Sequence, residues 1–365
     1  MVMNNSVCIF SPSQNIWGGG QIYIDNLCRY LNAGGFEAWI ATSEPGTFCA
    51  PTIAIPSVAG KLNRIFETWR LVRKLKDRGI RVVLLNDLSS LWLAPIFRIY
   101  GFKVISLLHL YLQKRNAAGL GHGAFAYHFL RFSSRFVQKI YSVNKENQAS
   151  FPVEIEFIGN FISPWFLKAP CISEKHYDLG LIARFSVEKN VPLFVELIAK
   201  LNSVSERPIT ALIVGKGEEE ISVREAIEAH GLESLIELRP WVERENLPAI
   251  YDQLRCFAIT SHHEGFATTL LEAHARGVPA ITTHAAGFCA EFLTGVSPVT
   301  GLSFNPVDIH SEAFLRQVLV LINSNRDYAE MCMDKAAQFS EARVLGRIQA
   351  GVSFFLGGDD PGKVL

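Results

Sequence analysis

The chain has 365 residues, more than one hydrophobic core usually supports, so we expect two domains. Hydrophobic residues make up 49% and charged residues 19%, which is typical of a globular protein and excludes a disordered chain. The net charge is zero, but residues 1–165 carry 17 Lys or Arg against 9 acids, and residues 166–365 carry 18 against 26. The basic half favours an anionic membrane surface or an acidic substrate as a partner, although a solvated surface alone could hold this imbalance.

The seven cysteines form no C-x-x-C pair and several lie in apolar runs, which predicts buried thiols in a reducing compartment. The N-terminus lacks the features of a signal peptide. The longest apolar tract, residues 91–112, is interrupted by Arg98 and Lys103, which argues against a transmembrane span. We therefore expect a cytoplasmic protein, at most peripheral on the inner face of the membrane.

Apolar runs alternate with helical patterns in the first half of the chain. This alternation predicts right-handed crossovers and a parallel, doubly wound sheet. The predicted strands are 7–10, 36–41, 81–85 and 103–108, and the predicted helices are 21–33, 64–78 and 91–100.

A glycine loop follows the first predicted strand and leads into a helix. At Gly18 and Gly19, bare backbone could approach a phosphate closely, although a plain tight turn explains the same residues. The loop is not G-x-G-x-x-G, because Tyr23 occupies the third glycine position, and no acidic residue closes the second strand. A dinucleotide-binding fold is therefore not favoured.

His109 ends the predicted strand 103–108. It could stabilise a developing charge or bind a substrate hydroxyl, but a lone histidine is more often structural. The Gly-rich, basic loop 113–123 is either a lid over an acceptor or a connector. The basic amphipathic helix 61–78 could contact a membrane, but we favour packing of its apolar stripe on the sheet.

The same alternation restarts in the second half. A segment with Pro164 and Pro170 separates the halves, so we predict domains at 1–165 and 166–340 and a C-terminal helix and tail at 341–365. Two such domains would line a cleft with the carboxyl ends of both sheets. The predicted strands are 177–183, 210–214, 234–238, 255–260 and 279–282, and the predicted helices are 191–201, 219–230, 245–252 and 268–276.

Charged and glycine residues follow the strands of this second half. Arg184 and Lys189 could reach a diphosphate, and Gly215 lies in a turn that could pass under a nucleobase. A surface charge cluster at a helix start is the alternative. We find no D-x-D, H-E-x-x-H or Cys/His cluster, so no metal site is predicted.

The most informative segment is residues 261–273. Glu264 lies in a Gly-containing turn and Glu272 lies eight residues later in a predicted helix, so the two would reach different parts of one ligand. Two carboxylates at this spacing suit the recognition of sugar or ribose hydroxyls. A helix start that favours an acid, followed by a solvated glutamate, gives the same pattern.

Together these motifs resemble the retaining glycosyltransferases of the GT-B fold, specifically glycosyltransferase family 4, over nearly the whole chain. The most specific part is the E-x7-E motif with its continuation E-G-F…L-L-E-A…A-x-G-V-P-A-I-T. The segment A-R-F-S-V-E-K-N resembles the family's G-R-x-x-x-E-K-N, with Ala183 in place of glycine. Asn160 matches the asparagine of the family's I-P-N-G linker, with Phe161 in place of glycine.

The resemblance implies two Rossmann-like domains that face each other across a cleft. It implies that Arg184 and Lys189 bind the donor diphosphate, that Glu272 holds the ribose and that Glu264 contacts the transferred sugar. The glycine loop would close over the diphosphate, His109 would lie beside sugar and acceptor, and a C-terminal helix would return to the first domain. The backbone that would lie near the sugar and phosphate belongs to Gly265, Phe266, Ala267 and Thr268.

The implied reaction is metal-independent transfer of a hexosyl unit from a UDP- or GDP-sugar, with retention, to a glycan, lipopolysaccharide or lipid-linked acceptor. No cofactor and no nucleic-acid partner are expected, and contact with an anionic membrane through the basic half is one interpretation. Two rival classes are another GT-B enzyme, such as a nucleotide-sugar epimerase, and a non-catalytic homologue that binds sugar nucleotides. Intact Arg184, Lys189, Glu264 and Glu272 argue against the second.

Overall fold

The computed structural model describes residues 5–12, 19–55, 61–109, 111–112, 122–168 and 174–357. The chain forms two compact units, one made of Met1–Gly159 with Val344–Leu365 and the other of Asn160–Arg343. Each unit is built on a parallel, doubly wound sheet, which confirms the predicted fold class of two Rossmann-like domains.

The first unit contains a seven-stranded parallel sheet with the order β3-β2-β1-β4-β5-β6-β7. The chain leaves β1 toward β2 and β3, then returns to the other side of β1 at β4, so the order reverses between β1 and β4. The strands are β1 (Ser6–Phe10), β2 (Glu37–Thr42), β3 (Thr52–Ala54), β4 (Val82–Asn86), β5 (Lys103–Leu108), β6 (Lys139–Ser142) and β7 (Glu156–Phe157).

Helices cover this sheet and bury one face each. In α2, Leu71, Val72 and Leu75 are buried in a cluster with residues of β1, β4 and β5, so its apolar stripe packs on the sheet. The helices are α1 (Gly19–Ala33), α2 (Lys61–Asp77), α3 (Leu88–Leu91), α4 (Ala94–Ile99), α5 (Ala124–Ser133), α6 (Asn147–Ser150) and α14 (Glu341–Leu356).

One predicted helix is divided in two. The sequence pattern gave a single helix at residues 91–100, whereas α3 ends at Leu91 and α4 begins at Ala94. Pro95 is the reason, because a proline ring clashes with the carbonyl four residues earlier, here that of Leu91. Proline is tolerated in the first turn of a helix, where it now lies.

The last helix, α14, packs on the first unit from Val344 onward. Arg347 donates to a Glu156 carboxylate oxygen at 2.5 Å, and the Tyr141 hydroxyl donates to the Arg347 carbonyl at 3.1 Å. A Cβ at Gly351 would lie 2.2 Å from the Tyr141 hydroxyl oxygen. Position 351 therefore needs glycine for α14 to approach β6.

The second unit contains a six-stranded parallel sheet with the order β10-β9-β8-β11-β12-β13. Here the order reverses between β8 and β11. The strands are β8 (Tyr177–Ile182), β9 (Ala211–Val214), β10 (Ile236–Arg239), β11 (Leu254–Ile259), β12 (Ala280–Thr283) and β13 (Gly301–Phe304). The helices are α7 (Val191–Val204), α8 (Glu220–Ala229), α9 (Leu247–Tyr251), α10 (Thr268–Ala275), α11 (Phe288–Ala290), α12 (Glu312–Asn323) and α13 (Asn325–Ala337).

The hydrophobic segments of the described residues pack in the interiors of these two units. None of the described helices combines the length and the apolar character that a membrane crossing requires. Cysteines follow the same pattern, since five of the six described thiols are buried and only Cys49 is exposed. Burial raises the pKa of the Cys8 and Cys289 thiols to about 12, so these side chains pack as neutral groups.

Candidate functional site

The candidate site of the second unit lies where its strand order reverses. The loops that follow β8 and β11 leave neighbouring strands in opposite directions, and ligands of doubly wound sheets bind at such a point, beyond the carboxyl ends of the strands. The loop after β8 carries Arg184 and Lys189, and the loop after β11 carries Glu264. The topology therefore brings together residues that are far apart in the sequence.

Lys189 and Glu264 are paired in this structure. The Lys189 ammonium donates to Glu264 Oε2, and the Ser261 hydroxyl lies 3.5 Å from the same oxygen. The two side chains keep 26% and 18% of their surface exposed, so the pair is accessible to a ligand from solvent. A cation and a carboxylate thus stand side by side at the reversal point.

The two loops are held together through their backbones. The Thr260 hydroxyl donates to the Lys189 carbonyl at 3.1 Å, and the His262 amide donates to the Glu188 carbonyl at 2.8 Å. Asn190 follows in the left-handed conformation, with φ 48°, and turns the chain into α7. These contacts fix the backbone positions from which the Lys189 and Glu264 side chains extend.

The electrostatics of the pair favour a charged lysine. Burial lowers the pKa of Lys189, but its ion pair and hydrogen bond with Glu264, aided by Glu188, outweigh burial and hold the pKa above its ordinary value. Lys189 is therefore cationic throughout the physiological range. An anionic ligand would meet a charged ammonium here, although one that is already paired with Glu264.

Arg184 has a different partner from the one that the resemblance implies. Its guanidinium donates to both carboxylate oxygens of Glu218, at 3.0 and 3.1 Å. Both side chains are more than half exposed, at 55% and 53%, so this ion pair is weak and easily exchanged. Arg184 lies in the same loop as Lys189 but makes no described contact with the Lys189–Glu264 pair.

Gly215 serves the packing of this loop. A Cβ at Gly215 would lie 1.9 Å from the Ala183 carbonyl oxygen, and one at Gly217 would lie 2.2 Å from that of Phe185. The Phe185 amide also donates to the Lys216 carbonyl at 2.9 Å. The glycines after β9 therefore let the chain pass directly beside the loop that carries Arg184.

The backbone from Gly265 to Thr268 is partly engaged by other residues. The Phe266 ring is buried against Phe288, Phe292 and Phe339, and its carbonyl accepts from the Asn160 side chain. The Ala267 amide donates to Cys289 Sγ at 3.2 Å, and Thr268 begins α10. Phe266 could thus contact a nucleotide-sugar donor only through its backbone, because its ring is buried and anchors the turn.

Glu272 lies within α10 and is buried with two partners. The Tyr251 hydroxyl donates to Oε2 at 2.9 Å and Arg244 donates to Oε1 at 3.2 Å. Burial raises the pKa of Glu272, and the charge of Arg244 and both hydrogen bonds partly offset that rise. A carboxylate has about four acceptor positions, so lone pairs remain for a ligand hydroxyl.

His109 follows β5 in the first unit and lies at the other reversal point, between β1 and β4. Its Nε2 lies 3.1 Å from Asn86 Oδ1, and Asn86 Nδ2 donates to the Ser11 hydroxyl at 3.2 Å. The ring packs edge-on against Tyr23 at 5.0 Å and over Gly20 in the first turn of α1. Gly19 begins α1, whereas Gly18 and most of the loop 113–123 lie outside the described residues.

His109 is held in its neutral form. Burial lowers the pKa of its imidazole, and the nearby Asp87 carboxylate offsets part of this effect. Because Asn86 uses its amide nitrogen toward Ser11, its oxygen faces His109, and neutral Nε2–H donates to it. Nδ1 then keeps its lone pair and can accept a hydrogen bond from a hydroxyl.

Asp87 itself has an uncommon backbone conformation. Its φ is 65° and its ψ is 170°, a region that glycine occupies far more readily than an L-residue. It lies directly after β4 and is buried. Strained residues of this kind cluster at functional sites, which agrees with its position beside His109.

Three residues of these clusters were not predicted from the sequence: Arg244, Tyr251 and Asn86. Arg244 and Tyr251 lie 28 and 21 residues before Glu272, and Asn86 lies 23 residues before His109. No local pattern links residues at such separations. The sequence held one usable signal for Asn86, which directly follows a predicted apolar strand, as His109 does. Within the described ranges, no group of three or more His, Cys, Asp or Glu is placed to hold a metal ion.

Comparison with known proteins bears on both units. Residues 167–339 match the family model described as glycosyl transferases group 1, so the second unit is similar in sequence to that family. The amylovoran biosynthesis glycosyltransferase AmsD of Erwinia amylovora is 21% identical over 306 residues, which cover 80% of this chain and 83% of AmsD.

Solved structures agree with this chain in fold. A glycosyltransferase from Rickettsia africae superposes with a TM-score of 0.79 at 15% identity, over 97% of this chain and 99% of that chain. Anabaena HepE in complex with UDP superposes with a TM-score of 0.76 at 14% identity, over 96% and 100%. The chain therefore has the α/β fold of GT-B glycosyltransferases.

Proposed function

We propose that the protein transfers a hexosyl unit from a UDP- or GDP-sugar to a glycan, lipopolysaccharide or lipid-linked acceptor. The observation that carries this proposal is the Lys189–Glu264 pair at the reversal point of the second sheet, inside the segment that matches the glycosyl transferases group 1 model. An ammonium suits a diphosphate, and an adjacent carboxylate suits the hydroxyls of the sugar attached to it.

The diphosphate would be bound by cations that change partners. Arg184 is paired with an exposed carboxylate, so exchanging Glu218 for a phosphate costs little. Lys189 would share its charge between Glu264 and the phosphate that leaves. Both cations stabilise the negative charge that develops on the departing diphosphate, which is the largest kind of contribution available to such a site.

The two carboxylates would divide the recognition of hydroxyls. Glu264, beside Lys189, would accept from the transferred sugar. Glu272 lies further along, inside α10, and its orientation is fixed by Tyr251 and Arg244, so it would accept from the ribose. This division follows from their separation, because Glu264 lies in the turn before α10 and Glu272 lies one helical turn beyond Thr268, where α10 begins.

In the reaction that we propose, the bond from the anomeric carbon to the diphosphate oxygen breaks, and a bond to the acceptor oxygen forms on the same face. The acceptor proton passes to the departing phosphate oxygen, so configuration is retained without a side-chain nucleophile. Two cationic side chains supply the charge stabilisation, and we expect transfer without a metal ion or a cofactor. His109, neutral and with Nδ1 as an acceptor, would position a hydroxyl.

The relatives favour a polysaccharide acceptor and a uracil donor. AmsD is described as an enzyme of amylovoran biosynthesis, and HepE was crystallised with UDP. We extend both features to this chain as part of the proposal, together with a cytoplasmic location. A nucleotide-sugar epimerase and a non-catalytic homologue remain the competing functions.

A thermal-shift screen tests the donor site. UDP, GDP, ADP and their common sugar conjugates are compared, each with EDTA present. Selective stabilisation by one nucleotide supports the site and identifies the donor, because a ligand that binds only the folded state raises its stability. No shift with any of them, in a folded sample, would point to another function.

An assay of donor turnover then distinguishes a transferase from an epimerase. A transferase needs an acceptor to consume the sugar nucleotide, whereas an epimerase converts it alone. The anomeric configuration of the product, read by NMR, tests retention. A product with inverted anomeric configuration would contradict the proposed retaining mechanism but would still agree with the proposed transferase activity.

A further inference from the structure

Helix α5 carries a row of exposed aromatic side chains. Phe125, Phe129 and Phe132 are spaced by four and three residues, which places them within about 60° of one helix face at about 100° per residue. Their rings follow one another, with centroids 5.9 Å apart for the first pair and 6.3 Å for the second. Phe125 is 76% exposed, Phe132 is 46% exposed and Phe129 is half-buried. We call these three residues the aromatic row.

The aromatic row lies mostly outside the core, and Phe132 links it to the core through an edge-on contact with Phe136, with ring centroids 5.3 Å apart. Leu130, on the opposite side of α5, is buried in a cluster with Leu88, Leu108 and Leu112. That cluster already anchors the helix on the sheet, as a crossover helix of a doubly wound domain requires. An apolar row that stays largely exposed marks an interaction surface.

The charge around α5 identifies the partner. Residues 88–145 contain eight Lys or Arg and no Asp or Glu. Arg135 is exposed just beyond the end of α5, one turn after Phe132, and Lys103 is exposed at the start of β5. Apolar aromatic side chains in a sequence segment whose charged residues are all cations are complementary to the apolar interior and anionic headgroups of a lipid surface.

We propose that the aromatic row docks the protein on an anionic bilayer, with α5 lying in the plane of the interface. The rings enter the boundary between headgroups and acyl chains, and the neighbouring cations contact the headgroups. The cluster around Leu130 includes Leu88, which follows β4, Leu108, which ends β5, and Ile140 near the start of β6, so α5 lies along the sheet of the first unit. If the proposed function holds, docking of this unit on a bilayer favours the lipid-linked acceptor among those proposed.

Vesicle flotation tests the proposal without donor or acceptor. Wild-type protein is mixed with vesicles of phosphatidylcholine alone or with about one third phosphatidylglycerol, an anionic fraction that attracts basic surfaces. We expect the wild type to bind the anionic vesicles. In 0.5 M salt, which screens several cations, this binding should weaken by about thirty-fold. A variant with Phe125→Ser, Phe129→Ser and Phe132→Ser should bind at least about tenfold more weakly.

A matched control uses exposed apolar residues of the second unit. Ile221, Val307 and Val320 are 71%, 71% and 61% exposed, so replacing all three by Ser removes similar exposed apolar surface without touching α5. This control should bind vesicles as the wild type does. Arg135→Glu, which leaves the aromatic row intact, should weaken binding to anionic vesicles alone.

Three results would overturn the proposal. The wild type could fail to float with anionic vesicles, or the serine variant could bind as well as the control. The wild type could also be a dimer by light scattering that the serine variant converts to a monomer, which would make the aromatic row a contact between two copies. Nucleotide thermal shifts, measured without lipid, report the donor site separately, so failure of one proposal does not hide failure of the other.

Discussion

Lys189 and Glu264 form an ion pair across two loops of the second sheet, although 75 residues separate them in the chain. A donor diphosphate would have to compete with Glu264 for the Lys189 ammonium or approach it from its exposed side. The pair thus keeps a half-buried cation neutralised until an anionic ligand arrives. Replacing Lys189 and replacing Glu264 should therefore have different effects on nucleotide binding and on transfer.

Replacing Lys189 by Ala should weaken nucleotide binding. Loss of a charge-assisted hydrogen bond to a phosphate is expected to raise the Kd of the best nucleotide about tenfold, or about 1.4 kcal/mol. Calorimetry measures this directly. Lys74→Ala, which removes an exposed lysine of α2, is the control and should leave the Kd unchanged. An unaltered Kd in the Lys189 variant would remove it from the diphosphate site.

Replacing Glu264 by Ala should affect transfer more than nucleotide binding. If Glu264 contacts the sugar, kcat should fall about 100-fold or more while the Kd for the free nucleotide diphosphate changes little. The pKa of Lys189 should also fall, because Glu264 is what holds it above its ordinary value. Equal losses in transfer and in nucleotide affinity would contradict this assignment.

Tyr251→Phe should destabilise the second unit through Glu272. The hydroxyl donates to a buried carboxylate, and losing such a bond costs about 1.5–3 kcal/mol. Urea unfolding followed by circular dichroism gives the free energy of unfolding. Tyr100→Phe, at a half-buried tyrosine of the first unit, should change stability by about 0.5 kcal/mol or less. Similar values for both variants would mean that the Glu272 contact contributes little.

His274 should make the second unit sensitive to acid. It is fully buried in α10, with Nε2 2.9 Å from the Thr300 hydroxyl, and burial, aided by the charge of Lys335, lowers its pKa to about 3. The unfolded state binds a proton near pH 6.5 and the folded state does not. Stability is therefore complete above pH 6.5 and is lost between pH 6.5 and 3, at about 1.4 kcal/mol per pH unit.

The test compares the pH dependence of unfolding. His274→Gln, which keeps a polar group for Thr300, should be less stable at pH 7 but should lose about 2–3 kcal/mol less than the wild type between pH 7 and 4.5. His230→Gln is the control, because His230 is exposed at the end of α8 in the folded state. If all three proteins lose stability equally, His274 is not the responsible group.

His109 should not impose a loss of activity near pH 6.5. Burial lowers the pKa of its imidazole, so the neutral form that accepts a hydroxyl persists below the ordinary histidine range. Asp87→Asn should lower the pKa of His109 further, because the carboxylate favours the imidazolium. NMR titration of the His109 ring reports both. A rise in the pKa of His109 in the variant would show that Asp87 acts on the ring in another way.

Much of the fold follows from local patterns in the sequence. The central strands β1, β4, β5, β8 and β11 are buried on both faces and appear as continuous apolar runs, so they were predicted within one or two residues. β3 and β7 at the sheet edge have three and two residues, too few to produce a pattern. β6 and β13, of four residues each, were missed as well.

Local patterns establish the parallel α/β class and the charged or glycine residues that follow each strand, because periodicity and turn residues are properties of short segments. The contact partners of these residues depend on the tertiary structure. The strand order placed β11 beside β8, which joined Lys189 to Glu264, and the packing of α9 against α10 gave Glu272 its Tyr251 contact. Such pairs depend on long-range burial and crossover topology, in which residues far apart in the chain become neighbours, and no local pattern encodes them.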